Sequence, residues 1–141
     1  MSDIAMSRQE AEEFLAGVHV GVLAVDQPGH GPLTLPIWYA WQDGVALIGT
    51  GTNTLKARLL RAAGRATMLV QQETPPYKYV SLEGTVELVP DDSDSYAMAS
   101  RYLGAEFGRK YADANPTGAD SVVVRLTPDR WRTIDYSKAG G

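Results

Sequence analysis

The segment Gly49-Thr50-Gly51-Thr52-Asn53-Thr54, followed by Lys56, has the residue types to hold an anion. Hydroxyls on Thr50, Thr52 and Thr54 and the free N–H groups of a helix start are donors suited to a phosphate. With Thr54 as N-cap, Lys56 falls in the first helical turn, where a cation opposes the helix dipole at a cost of about 0.3–1 kcal/mol. A bound anion turns that penalty into an attraction; the alternative is a lysine merely solvated and tolerated. The spacing also comes close to the dinucleotide fingerprint, with Glu73 downstream as a ribose partner. Context argues against a Rossmann fold. Thr54 fills the third glycine position, Asp43-Gly44 sets a hairpin before the strand, and strands rather than βαβ units follow.

Pro36 sits inside an otherwise good strand, Leu33-Thr34-Leu35-Pro36-Ile37-Trp38-Tyr39. Proline donates nothing to a ladder, so an edge or a locally unpaired backbone is expected there. Such an edge can receive a planar heterocycle that needs backbone donors and acceptors, or it can be an ordinary protected edge. Tyr77, Tyr79, Trp38, Tyr39 and Trp41 are expected to form an aromatic wall. Tyr77 and Tyr79 share the face opposite Val80 and Leu82, which directs them to a ligand or a subunit interface.

Other chemistry has little support. The chain has no cysteine, and His19 and His30 stand too far apart to suggest a zinc site, so no metal is expected. His19 reads as a structural histidine in an apolar strand and His30 as a turn residue. Ser81 and Ser121 lack a nucleophile elbow. Glu83 is placed to pair with a cation rather than to serve as a general base. No catalytic acid/base pair is identifiable.

The elements that must position these residues fit one domain, 1–141. The chain is 44% hydrophobic and 21% charged, ordinary values for a packed domain. A net charge of −4 argues against a nucleic-acid surface. No apolar run reaches membrane-spanning length, and the acidic start lacks a signal-peptide profile. The expectation is a cytoplasmic protein with neither nucleic acid nor membrane as partner. The charge is uneven, however. Lys56, Arg58, Arg61 and Arg65 form a run without an acid, which fits a small anionic ligand better than a polyanion.

Ser7 with Glu10 three residues on predicts a capped helix to Ala16. Val18–Val25 reads as a strand buried on both faces, and Leu33–Trp41 as a second strand. Asp43-Gly44 is a hairpin signal before Val45–Ile48. A helix over Leu55–Ala63, with Leu55, Leu59 and Ala62 inward, ends at Gly64, and Ala66–Val70 is a strand. Val80, Leu82, Val86 and Leu88 alternate with polar residues, and Gly84 interrupts the row as a bulge or close approach would. A helix from Ser93 to Leu103, with Tyr96, Ala99 and Leu103 inward, closes at Gly104. A looser segment to Ala114 follows, and a last strand starts at Ser121 and resumes past Pro128 to Tyr136. About six strands with helices as covers favour a closed barrel over a sandwich, because closure removes exposed edges.

Six stretches occur in an order that resembles a known family. They are strand 18–25, Leu35-Pro36-Ile37-Trp38-Tyr39, Gly49-Thr50-Gly51 with Lys56-Ala57-Arg58, Pro75-Pro76-Tyr77-Lys78-Tyr79, Leu82-Glu83-Gly84 and Pro128-Asp129-Arg130-Trp131. Together the chain resembles the flavin/deazaflavin oxidoreductases of the pyridoxamine-phosphate-oxidase-like superfamily, nearest to the coenzyme F420-dependent branch (the B group). The resemblance implies a mainly β fold, a six-stranded split β-barrel with flanking helices, and a homodimer with cofactor at the subunit interface. By that likeness Lys56, with Thr50, Gly51, Thr52 and Thr54, holds the cofactor phosphate. Leu35, Pro36 and Ile37 lie against the deazaflavin ring, and Tyr77 and Tyr79 approach the site. Many members carry arginine or serine where this chain has Thr54, which leaves one fewer charge for the phosphate. The implied activity is hydride transfer from reduced F420 to an unsaturated small molecule: a quinone, an enone or a tetrapyrrole. Two alternatives share the fold: an FMN-binding oxidase or reductase, and a non-catalytic protein that binds a flavin, a deazaflavin or haem.

Overall fold

The structure, a computed structural model, describes residues 2–91, 93 and 95–139. After a short 3-10 turn at Ser2–Ile4, helix α1 (Arg8–Ala16) starts at a complete capping box. The Ser7 hydroxyl accepts the Glu10 N–H at 3.1 Å, and the Glu10 carboxylate accepts the Ser7 N–H at 2.8 Å. That bond and a second from Lys138 Nζ at 2.9 Å hold the Glu10 carboxyl at about 2, well below the usual range. Ala11 and Leu15 face the core.

Seven strands follow, β1 (Gly21–Val25), β2 (Leu33–Ile37), β3 (Ala40–Gln42), β4 (Val45–Gly51), β5 (Arg65–Gln72), β6 (Lys78–Pro90) and β7 (Ser121–Asp135). Helix α2 (Leu55–Ala63) joins β4 to β5, and α3 (Tyr96–Ala114) joins β6 to β7. All pairings are antiparallel, in the order β2-β1-β5-β6-β7-β4-β3. The two edge strands, β2 and β3, are consecutive in the chain. Only Trp38 and Tyr39 separate them, so the sheet must curl until its edges meet at that dipeptide. The result is a barrel split at one seam.

This seam accounts for the seventh strand. The expected single strand Leu33–Trp41 breaks at Trp38-Tyr39, not at Pro36, which stays in register with Val22 on the outermost strand. An edge is where a residue without an N–H is tolerated. Tyr39 turns inward and is fully buried, its hydroxyl donating to Leu15 O at 2.7 Å. Burial pushes its phenol well above the ordinary tyrosine range.

The long β6–β7 ribbon serves both halves of the barrel. Its Lys78–Thr85 portion pairs with β5, whereas Ser121–Leu126 pairs with β4. The ribbon must bend between these portions, and the register shifts at Glu83/Gly84. A Cβ on Gly84 would stand 1.9 Å from Thr127 O, so only glycine permits this approach. Pro128 lies opposite Gly84, past the point where β4 pairing ends, so β7 runs through it without a break. The interior is filled by Leu23, Met68, Val70, Val80, Leu82 and Leu126, with Leu60 of α2 beneath them.

Three expectations about facing are corrected. The strand beginning near Val18 is not buried on both faces. Regular pairing starts at Gly21, and Val18, Val20 and Val22 are 52%, 54% and 38% exposed because no second layer covers that side. In α2 the inward residues are Ala57 and Leu60, with Leu59 half-buried, while Leu55 is exposed at the helix start. Gly104 does end a helical run: its φ of 84° and ψ of 169° interrupt α3. The second limb folds back on the first, since a Cβ on Gly108 would meet the Ser100 backbone at 2.7 Å. Ala99 is inward as expected, but Leu103 lies exposed beside the turn. Of the residues expected to begin this helix, 92 and 94 lie outside the described residues.

Candidate functional site

A cavity of about 880 Å³ lies between the β2–β3–β4 side of the barrel and the α3 hairpin. Pro36, Ile37, Thr50, Gly51 and Lys56, five of the residues singled out by sequence, line it. Lys56 reaches it for the local reason that Thr54 caps α2. The Thr54 hydroxyl accepts the Ala57 N–H at 3.1 Å and donates to Gly51 O at 3.0 Å, which fixes Lys56 in the first turn. Lys56 is half-buried and makes no hydrogen bond or ion pair among the described residues. Burial lowers its pKa from the ordinary lysine value, since removing the ammonium from water disfavours its charged form. An anion beside it would reverse that effect.

The other predicted residues have different situations. Thr54 is occupied by its cap, and its hydroxyl lies 3.3 Å from that of Thr50. Thr52 is held by Arg61, whose Nη1 donates to Thr52 O at 2.7 Å and whose Nη2 donates to Thr52 Oγ1. The Thr52 and Thr54 N–H groups are also taken, by Asp120 O and Gly51 O. Of the three threonines, Thr50 alone lines the cavity; the loop spends much of its donor capacity on its own shape. Leu35 packs against the core. Tyr77 is exposed and Tyr79 half-buried, and neither lines the cavity of this chain.

The expected aromatic wall is divided. Tyr39 belongs to the core, whereas Trp38 and Trp41 line the cavity. Trp38 stacks on Tyr102 with centroids 4.9 Å apart and planes 4° apart, and Trp41 meets Trp131 edge-on at 5.7 Å. The Tyr102 hydroxyl accepts the Tyr39 N–H at 3.0 Å and donates toward the His19 and Tyr39 carbonyls at 2.7 and 3.0 Å. It thereby locks the barrel seam to α3 and holds the Trp38 ring flat against the cavity. His19 is structural: a ring nitrogen lies 3.1 Å from Phe14 O, and burial lowers its pKa. Glu83 pairs with Arg65 at 3.8 Å.

Sequence reasoning missed the contribution of α3. Arg101 lines the cavity, and its Nε and Nη2 are buried without a hydrogen-bond partner among the described residues. The available signal was one arginine following the uncharged run Ala97-Met98-Ala99-Ser100. Among the described residues no group of three or more His, Asp or Glu could hold a metal ion, and no helix is long and apolar enough to cross a membrane. The site therefore offers an apolar, partly aromatic slot with a cation at the loop. That arrangement suits a flat heterocycle carrying a phosphate: the ring has Pro36, Ile37 and Trp38 to lie on, and the phosphate has Lys56 and Thr50.

Comparison with known proteins identifies the fold and the family. The chain is similar to the solved structure of the conserved hypothetical protein Rv2991 from Mycobacterium tuberculosis, at 28% identity and a TM-score of 0.82, covering 100% of this chain and 92% of that one. It is similar to a structure described as an F420 reductase, at 26% identity and a TM-score of 0.65, covering 86% and 94%. It shares the fold of an FAD and heme binding protein from Mycobacterium smegmatis, at 19% identity and a TM-score of 0.71, covering 99% and 80%. No curated protein matches it. Residues 7–135 match the family model described as pyridoxamine 5'-phosphate oxidase, and the chain, a mainly β split barrel, belongs to that family.

Proposed function

We propose that this protein is a coenzyme F420-dependent reductase that passes a hydride from the reduced deazaflavin to an unsaturated small molecule of the quinone, enone or tetrapyrrole class. The observation that carries the reading is Lys56, a half-buried cation without a partner among the described residues, lining a cavity with Pro36, Ile37 and Trp38. The similarity to a protein described as an F420 reductase supports the choice of cofactor. When bound, the cofactor would supply the hydride and solvent the proton that completes the reduction, while the chain's own residues bind and orient. Lys56 and Thr50 hold the phosphate, and Pro36 at the edge of the sheet leaves backbone free for the ring. Trp38, held flat by Tyr102, limits how the ring tilts.

The working form is a homodimer in this reading. Val22 and Leu69 are adjacent in the β1–β5 register, and both are exposed, as are Val18 and Val20 just before β1. Exposed apolar residues of this kind on a small domain suit a second copy. Tyr77 and Tyr79, remote from the cavity of their own chain, then serve the partner's site.

Stopped-flow mixing of the complex with reduced F420 against quinones, enones and biliverdin tests the reading. Reoxidation of F420 by at least one class is expected. Firm F420 binding with no turnover across the panel would make the protein a carrier, and tight FMN binding with none of F420 would replace the cofactor.

A further inference from the structure

Three of the four glycines within strands have a close neighbour in the chain. A Cβ on Gly84 would collide with Thr127 O at 1.9 Å, one on Gly21 would stand 3.1 Å from Ile37 Cδ1, and one on Gly51 would stand 3.4 Å from Thr54 Cγ2. Gly49 is different. It lies inside β4, its φ is outside the left-handed region, and a Cβ there would meet nothing within 4 Å among the described residues. A glycine inside a strand loses more backbone freedom on folding than any other residue and adds no side chain to the packing. Neither conformation nor crowding within the chain requires one at this position.

The open space over Gly49 belongs to the cavity. Gly49 lines it, as do Leu47 and Gly51 on the same face of β4, and Val123, which is in register with Gly49 on β7. The α3 hairpin forms the opposite side and leaves the place above Gly49 empty. The edge of β4 is bare there as well. β3 pairs with β4 only over residues 45–47, so from 48 to 51 the strand has a ladder neighbour on one side alone, β7. Main-chain groups on an unpaired edge stay available to a ligand. Leu47 is in register with Ala40, two residues past Trp38, and Gly51 leads into the threonine loop. Along β4, Gly49 therefore stands midway between the seam and the loop.

We propose that Gly49 is a specificity-determining residue: its bare main chain is the floor over which the ligand passes between ring and phosphate. The assignment rests on the reading above, with the ring at Pro36, Ile37 and Trp38 and the phosphate at Lys56 and Thr50. In flavins and deazaflavins a slender hydroxylated chain joins these two parts. Such a chain can approach a peptide backbone closely and exchange hydrogen bonds with a free strand edge. A β-branched residue is the ordinary occupant of a half-covered strand position, and at 49 its side chain would fill the space that this link needs. Lys56 thus selects for charge, and Gly49 selects for a thin polar link beside it.

Fluorescence titration of the full chain with F420 and with FMN, for the parent, Gly49→Ala and Gly49→Val, provides the test, together with thermal unfolding of each protein without cofactor. The parent is expected to bind at least one of the two. Gly49→Ala should weaken that binding about tenfold and Gly49→Val about a hundredfold, the range for forcing extra carbon atoms into an occupied space. Both variants should unfold at or above the parent's midpoint, because alanine and valine suit a strand better than glycine. A glycine that serves only the fold gives the reverse, with lower midpoints and unchanged affinity in the folded protein. The proposal is overturned if Gly49→Val binds as tightly as a parent that binds, or if both variants unfold at lower temperature. A parent that binds neither cofactor refutes the cofactor reading itself, and the role of Gly49 with it.

Discussion

At the C-terminal end of α2 the protein spends its cations on itself. Arg65 forms a bidentate pair with Asp129, both contacts at 2.8 Å, with Glu83 nearby, and Arg61 holds Thr52. At the N-terminal end, two turns away, Lys56 has no such partner and is set deeper. The run from Lys56 to Arg65 thus presents two kinds of cation. Exposed Arg61 and Arg65 brace a loop and a strand, and half-buried Lys56 faces a cavity. Partnering and depth, rather than charge alone, separate a binding group from a bracing group.

The sharpest way to break this contrast is Lys56→Ala. It is expected to weaken binding of a phosphate-bearing cofactor by about 1.5–3 kcal/mol, the range for a hydrogen bond to a charged group. The fold should not suffer, because the substitution removes a desolvated charge. Thr54→Ala comes next: losing the cap should lower stability by about 1 kcal/mol and weaken cofactor binding less than Lys56→Ala does, as denaturant titration and binding measurements will show. Arg65→Ala should have the smallest effect, leaving cofactor affinity unchanged and moving the thermal midpoint only slightly, since its ion pairs are open to solvent.

The pH dependence of binding sharpens the same comparison. Only protonated Lys56 attracts a phosphate, and burial lowers its pKa, so affinity should decline with rising pH before an exposed lysine would titrate. The unfolded chain holds this proton more tightly than the ligand-free fold. Without ligand, therefore, the Lys56 contribution to stability improves as pH rises through the folded-state value. Lys56→Arg should flatten the affinity profile across the alkaline range.

Features set by neighbours along the chain were legible in the sequence. Ser7 with Glu10, Asp43-Gly44 and the Thr54 cap each depend on a few adjacent residues, and each formed as expected. Gly84 was legible as a bulge because a glycine inside a regular alternation gives up a packing side chain, which a strand tolerates where backbones must come close. Whatever depends on distant pairing was harder to read. The break at Trp38-Tyr39 follows from closing the barrel, which brings Tyr102 from α3 onto Tyr39. The self-bonding of the threonine loop needs Arg61 a helix away, and Asp120 from the far side of the chain. Arg101 reaches the cavity only through the placement of α3 beside the barrel, which distant parts of the chain decide. Val18–Val22 looked like core because the sequence cannot say whether a second layer will cover a strand.

The central claim is that Lys56 is an anion-binding group held ready for a cofactor phosphate. The most direct test is the dissociation constant of F420 for the parent, Lys56→Ala and Arg65→Ala, measured side by side at neutral pH. A weakening of about tenfold to a hundredfold in Lys56→Ala, with Arg65→Ala equal to the parent, is the predicted result. Equal affinity in all three folded proteins would contradict it.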